Sequence, residues 1–337
     1  MKKIIIKLVS DIKNIIFFFS INTEKNVCIF NENENTFKYL EYYLKKKVCG
    51  IIFFSLQKIN YNYNRNVHVI NLYNKFFIEI FFLCLKSKFI YSTTPGLNYN
   101  IFKKSILSKK SKYIYIQHSP VSLTMAYDKN AFTEFNAVQT INKFQYSEIY
   151  KINNDFSKKI RPFKSKYKYL DYKNQKIKKQ LLIAPTWKTN FYSSGFYLEL
   201  FNELTKKKID FIFRPHYMSL KEKEINLSDL NFIKNKIDVG PNIKISEYEN
   251  LVSDWSGIFL EFIILNKKKP YLFNSKKKVL NINYNKQYSK TTIEEYAREN
   301  VCFSYNFDQI DLFINDLKNN DNYKQLEINK FINENIY

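Results

Sequence analysis

The chain has 337 residues, 45% of them hydrophobic and 18% aromatic, with 54 Lys and Arg against 31 Asp and Glu for a formal net charge of +23. That length suits two domains of about 150 residues each, and the hydrophobic share is ordinary for a protein with sizeable cores, Phe and Tyr standing in for Leu and Ala there. The charge draws anions such as nucleic acid, anionic lipid or phosphorylated substrates, but there is no basic tail or Arg-rich block, which argues against a dedicated nucleic-acid arm.

Nearly all of the positive charge is Lys, in short clusters such as Lys45-Lys46-Lys47, Lys206-Lys207-Lys208 and Lys267-Lys268-Lys269. These read as solvated helix ends. At the N-terminus, Met1 to Phe19 carries many Ile and Phe residues, interrupted by Lys7, Asp11, Lys13 and Asn14 before the run reaches signal-peptide or transmembrane length. No other stretch spans a bilayer. An amphipathic helix is expected, and two roles are open to it: packing on the protein, or lying on a membrane surface.

Short apolar runs then alternate with helical patterns, the signature of α/β domains with parallel sheets. In the first half the expected strands are Asn26-Phe30, Gly50-Ser55, His68-Leu72, Phe89-Ser92, Tyr113-Gln117 and Ala137-Ile141. Helices are expected at Phe37-Lys46, Lys75-Leu85 and Lys143-Ile152. The stretch Lys158-Lys179 is Lys- and Tyr-rich and contains Pro162, and reads as a connection. Cys28, Cys49 and Cys84 sit in apolar surroundings and, with Cys302, show no Cys-x-x-Cys spacing. This fits free thiols in a reduced compartment and no zinc site.

The second half restarts the pattern. Leu181-Ala184, Ile209-Phe213, Ile243-Ile245, Leu251-Val252 and Tyr271-Phe273 are expected strands, and Phe196-Lys207 and Ile258-Leu265 expected helices. Ile293-Arg298, Phe307-Leu317 and Tyr323-Ile336 give a helical ending. The organisation is therefore two doubly wound α/β domains facing across a cleft, residues 1–160 and 180–337, joined by a linker at 161–179. In such sheets ligands bind beyond the carboxyl ends of the strands.

The residues that stand against the Lys, Asn, Ile, Phe and Tyr background gather at those ends. Two of the three histidines and both tryptophans lie in Gln117-His118-Ser119-Pro120, Pro185-Thr186-Trp187-Lys188, Arg214-Pro215-His216 and Ser253-Asp254-Trp255-Ser256-Gly257. Ser253 or Asp254 can cap the following helix. The amides of Ser256 and Gly257 and the helix dipole can receive phosphate, and Glu261, one turn on, can hold a ribose hydroxyl or a basic partner. Arg214 can grip two phosphate oxygens, and His216 can donate to phosphate or move a proton. Thr186 and Lys188 add a hydroxyl and a cation, while Trp187 suits either the core or base stacking. His118 suits a general base or a structural histidine. His68, inside a strand, reads as structural.

In this order the motifs resemble the CDP-glycerol glycerophosphotransferase family, the teichoic-acid and capsule polymerases and primases with a GT-B fold. Its members carry His-Gly, then Pro-Thr-Trp-Arg, Arg-Pro-His, an Asp-Tyr-Ser-Ser helix start with an acidic residue after it, and a Lys-Pro strand. This chain has His118-Ser119, Pro185-Thr186-Trp187-Lys188, Arg214-Pro215-His216, Asp254-Trp255-Ser256-Gly257, Glu261 and Lys269-Pro270. The likeness runs over residues 113–273. Ser119 stands for Gly, Lys188 for Arg, Gly257 for the second Ser and Glu261 for Asp, and the Lys usual shortly after His-Gly is absent.

The resemblance implies transfer of a glycerol-phosphate or related polyol-phosphate group from a CDP-activated donor to a hydroxyl of a lipid-linked or polymeric glycan, releasing CMP. It makes the first domain the acceptor side, with Ser119 and Ser122, and the second the donor side. His118 would be the general base, and Arg214 and His216 would stabilise the diphosphate and the leaving group. Pro185, Thr186, Trp187, Lys188, Ser253, Asp254, Ser256, Gly257 and Glu261 would line the donor site. No Asp-x-Asp motif stands near them, so neither a metal nor a cofactor is expected, and nucleic acid is not an expected partner. The charge and the N-terminal helix suit a cytoplasmic protein at the inner face of an anionic membrane, at about 1 kcal/mol per nearby basic residue. Two other readings are a GT-B glycosyltransferase using CMP-Kdo or a UDP-sugar, and a non-catalytic protein binding an anionic polymer; the clustering of the motifs speaks against the second.

Overall fold

Strand β1 (Asn26–Asn31) buries four successive residues, Cys28 to Asn31, so it is covered on both faces, as strands of a parallel sheet are. The structure, a computed structural model, describes residues 2–32, 34–45, 50–59, 62–63, 66–166, 177–240, 244–281, 291–319 and 325–337. The chain divides into two compact units, one made of Met1–His118 and Tyr127–Tyr169, the other of Ser119–Ala126 and Leu170–Tyr337.

In chain order the first unit carries α1 (Lys2–Ser20), β1, α2 (Glu34–Lys45), β2 (Gly50–Ser55), β3 (Val67–Asn71), α3 (Lys75–Cys84), β4 (Phe89–Ser92) and β5 (Lys112–Tyr115). After α4 (Leu123–Ala126), which belongs to the second unit, come β6 (Ala137–Thr140), α5 (Lys143–Phe156) and β7 (Arg161–Lys164). The sheet order is β3-β2-β1-β4-β5-β6-β7, with every pair parallel. This is the doubly wound dinucleotide-fold order with one added strand. Asn74 and Asn142 open α3 and α5 by accepting from Phe76 N and Gln145 N. Helix α1 is fastened by buried Asp11, whose carboxylate accepts from the amides of Tyr73 (3.0 Å) and Asn74 (2.7 Å). Its Ile15 and Phe18 are buried too, while Ile5, Val9, Ile12 and Ile16 are exposed. No helix among the described residues is long and apolar enough to cross a membrane.

The second unit contains β8 (Lys178–Ile183), α6 (Asn190–Ser193), α7 (Phe196–Lys206), β9 (Phe211–Phe213), α8 (Tyr217–Lys221), β10 (Tyr248–Ser253), α9 (Ile258–Asn266) and β11 (Tyr271–Phe273). It ends with α10 (Ile293–Val301), β12 (Phe303–Tyr305), α11 (Ile310–Asn319) and α12 (Gln325–Asn335). Its sheet runs β12-β11-β10-β8-β9, again all parallel. The strand order reverses between β8 and β10, and the carboxyl ends flanking such a switch point are where open α/β sheets bind ligands. Gly195, with φ 75°, makes the left-handed turn into α7. An aromatic core of Phe191, Phe196, Phe201, Phe213, Phe273 and Phe313 packs on the sheet.

Several expectations need correction. The stretch taken as a connection holds β7 and the start of β8; β7 is an edge strand, where Pro162 costs no ladder bond. Residues 167–176 of the expected linker lie outside the described residues. Ile245 opens a single 3-10 turn (Ile245–Glu247) rather than ending a strand, and Ile243 is outside the described residues. So are Lys46, Lys47, Cys49 and Tyr323. The ending is not wholly helical, because Phe303–Tyr305 adds an edge strand beside β11. Lys206 and Lys267 do lie at helix C-termini.

Candidate functional site

Four polar segments follow four adjacent strands of the second sheet: 184–189 after β8, 214–216 after β9, 254–257 after β10 and 274–278 after β11. Asp254 ties three of them together. Its buried carboxylate accepts from Thr186 N (2.8 Å), Thr189 Oγ1 (2.9 Å) and Ser275 Oγ (3.1 Å). Burial pushes its pKa up, and these hydrogen bonds oppose the rise. Ser253 Oγ donates to Ala184 O at 2.7 Å. Neither residue caps α9, contrary to expectation: the cap position is Gly257, with no side-chain bond. A carboxylate drawn into three tertiary hydrogen bonds is not available to the helix amides. Ser256 Oγ accepts from Ile258 N at a long 3.5 Å, and Glu261 is buried one turn along.

Trp187 is the centre of a cationic, aromatic cluster. Its ring stacks with His216 at 6.2 Å and 25°. Lys188 Nζ lies 4.6 Å from the ring centre and Lys278 Nζ 5.2 Å. Lys188 has φ 60°, a left-handed conformation uncommon outside glycine, and its amide donates to Glu224 Oε1 at 2.8 Å. Lys278 Nζ donates to Thr186 Oγ1 at 2.7 Å. Burial lowers the Lys278 pKa to about 8, against the pull of Asp254, Glu224 and Glu294.

His216 accepts from Met218 N through Nδ1 at 3.1 Å, so the neutral ring carries its proton on Nε2 and can donate there. Burial, then Lys278 and Arg214, lower its pKa to about 3. Trp255 has a different role from Trp187. Its Nε1 donates to Ser275 O (2.9 Å), and the Arg298 guanidinium lies 4.4 Å from its ring while donating to Asp254 O (2.9 Å) and Asn274 Oδ1 (2.7 Å).

His118 lies in the first unit. Its Nδ1 is 3.2 Å from Tyr115 Oη and its Nε2 3.3 Å from Tyr127 Oη, and Tyr115 Oη is 3.4 Å from Tyr127 Oη. A neutral imidazole, one donor and one acceptor, can close this ring of hydrogen bonds. Burial, with Lys38 nearby, lowers its pKa to about 4. His68 lies in β3 with its ring edge-on to Phe17 at 5.9 Å. Ser119 and Ser122 belong to the second unit, where Ser122 N donates to buried Glu294 Oε1 at 2.9 Å.

The second-unit cluster thus brings together Thr186, Trp187, Lys188, His216 and Asp254 from the sequence motifs, with Ser275, Lys278, Glu294 and Arg298 added by the structure. Arg298 carried a signal, being one of only four arginines among the 54 basic residues. Lys278 did not, except that its run starts just beyond the strand Tyr271–Phe273. Among the described residues, no group of three or more His, Cys, Asp or Glu is placed to hold a metal ion.

The fold is that of a GT-B transferase. The wall teichoic acid polymerase TagF superposes with a TM-score of 0.53 at 14% identity, over 99% of this chain and 93% of that one. A substituted TagF soaked with CDPG for 15 minutes gives 0.55 at 13% identity, over 98% and 89%. No curated protein sequence matches the chain. The model of the family described as CDP-Glycerol:Poly(glycerophosphate) glycerophosphotransferase matches residues 153–333, more than half of the sequence. The chain belongs to that family, and so is a glycerophosphotransferase-like transferase. His118 lies before the matched range.

Proposed function

We propose that the chain moves a glycerol-phosphate, or a related polyol-phosphate, from a CDP-activated donor to a hydroxyl of a cell-surface glycan or a teichoic or capsular polymer. The acceptor oxygen attacks the phosphorus that bears the polyol. The bond from that phosphorus to the bridging oxygen breaks, and CMP leaves with that oxygen. The observation that carries this reading is the Trp187–His216 stack with Lys188 and Lys278 over the tryptophan ring, at strand ends flanking a switch point. Such a cluster suits a base or ribose with an attached diphosphate. The family's description and the CDPG used with TagF accord with a CDP-linked donor.

In this reading His118 takes the acceptor proton, and Arg214 and the Nε2–H of His216 stabilise charge on the diphosphate and departing CMP. Catalysis rests on positioning and charge. Incubation with CDP-glycerol and a glycerol-phosphate acceptor should release CMP. His118→Ala and His216→Ala should each slow that release by at least about 100-fold, the lower end for general acid–base and charge-stabilising groups. Release unchanged in both variants would overturn the assignment.

The exposed stripe Ile5, Val9, Ile12 and Ile16 on α1, with the net charge of +23, supports residence at the inner face of an anionic membrane. A lipid-linked acceptor would be met there.

A further inference from the structure

Lys276, Lys277 and Lys278 follow β11 and fall in none of the motifs. Lys276 N donates to Asn190 Oδ1 at 2.6 Å, and Lys277 Nζ pairs with Glu295 Oε1 at 2.6 Å. Lys278 turns inward. Among the described residues its ammonium makes one hydrogen bond, to the neutral hydroxyl of Thr186, and no ion pair. Three carboxylates act on its charge: Asp254, which holds three donors, Glu224, which accepts from Lys188 N through one oxygen, and Glu294, which accepts from Ser122 N through one oxygen. Lys188 and His216 are its basic neighbours.

An ammonium has three donors, and the single bond to Thr186 leaves two of them without a hydrogen bond among the described residues. The same ammonium sits over the Trp187 ring, which His216 stacks on and Lys188 also covers. An anion bound beside that ring would meet its two remaining N–H donors. We propose that Lys278 is a donor-binding residue: its ammonium, held by Thr186, takes the diphosphate of the nucleotide-linked substrate beside Trp187 and His216. The nucleotide's identity rests on the function proposed above; the anion does not. Burial lowers its pKa to about 8, although Asp254, Glu224 and Glu294 pull it upward.

Calorimetric titration of the full chain with CDP, with inorganic pyrophosphate and with cytidine tests this. Lys278→Met should weaken CDP and pyrophosphate by about 10- to 100-fold, the worth of one charged hydrogen bond, and leave cytidine unchanged. Its melting temperature shows whether the variant folds. Wild-type CDP affinity should fall as pH rises through about 8, and Lys278→Arg should lose that dependence. Should Lys278→Met not fold, Lys278→Gln, which can still donate to Thr186, decides in the same way. Anion affinities unchanged in the variant, or a wild type that binds neither anion, overturn the proposal. A wild type that binds pyrophosphate through Lys278 but not CDP upholds it and overturns the cytidine donor instead.

Discussion

The side chain of Ser119 fills the space that a side chain on Gly257 would need. Its Oγ lies 2.8 Å from where a Cβ would stand on Gly257, and Val121 Cγ1 lies 2.6 Å from the same point. Ser119, Val121 and Gly257 are sterically coupled. Gly257→Ser alone should therefore destabilise the second unit by about 1–3 kcal/mol, the usual cost of overpacking. Ser119→Gly with Gly257→Ser should recover part of it, with a coupling energy of at least about 0.5 kcal/mol in a double-mutant cycle read by denaturant unfolding. Strictly additive losses would disprove the coupling. Val121→Ala in the same background should recover more, because a β-branched side chain has few rotamers to retreat into.

His118 and His216 make stability depend on acid. Their folded pKa values, about 4 and about 3, lie below the ordinary 6.5, chiefly through burial. Between those values the unfolded chain binds more protons than the folded one. Stability is thus complete above 6.5 and falls as pH drops toward 4, by up to about 1.4 kcal/mol per pH unit for each histidine. His216→Asn keeps an acceptor for the Met218 amide and removes the titration. Urea midpoints measured on either side of pH 6.5 should flatten for the second unit in this variant and keep their slope for the first. An undiminished slope in the second unit would mean that His216 is not the group responsible.

How much of this was legible in the sequence follows from how local each signal is. Strands Gly50–Ser55, Phe89–Ser92 and Tyr271–Phe273 are short apolar runs between breakers, and their bounds are as expected. Arg161–Lys164 and Phe303–Tyr305 are edge strands, polar or half-buried, whose pairing depends on a neighbour distant in sequence. Asp254 shows the same limit at the site. An Asp before a helix reads as a cap, and only the fold shows Thr186, Thr189 and Ser275 already holding its carboxylate. Lys278 was hidden by composition, since one more lysine among fifty carries no information, whereas Arg214 and His216 stood out by rarity.

Lys188 allows backbone and charge to be separated. Its left-handed φ of 60° costs a non-glycine residue about 1–2 kcal/mol. Lys188→Gly relieves that strain, at a cost of about 0.5–1 kcal/mol in unfolded-chain entropy. Its melting temperature should therefore equal or exceed that of the wild type, while affinity for CDP falls with the cation over Trp187. Lys188→Ala keeps the strain and loses the cation, so it should be the less stable of the two and equally weak for CDP. If Lys188→Gly binds CDP as the wild type does, the side chain serves only the fold.

Helix α1 presents two faces with separable roles. Ile5, Ile12 and Ile16 are 55%, 42% and 65% exposed, so changing all three to Ser should leave the melting temperature unchanged. It should also abolish sedimentation with anionic phospholipid vesicles if this stripe enters the headgroup region. Asp11→Ala should do the opposite: lower stability by about 1–3 kcal/mol, since the amides of Tyr73 and Asn74 lose their acceptor, and leave vesicle binding in place at temperatures where the first unit stays folded. Removing the whole helix would confound the two effects, because Phe18 packs against Phe81 at 4.6 Å in the core. A triple serine variant that still sediments with vesicles, or a wild type that does not, removes the membrane from the proposed function and leaves α1 as a packing helix.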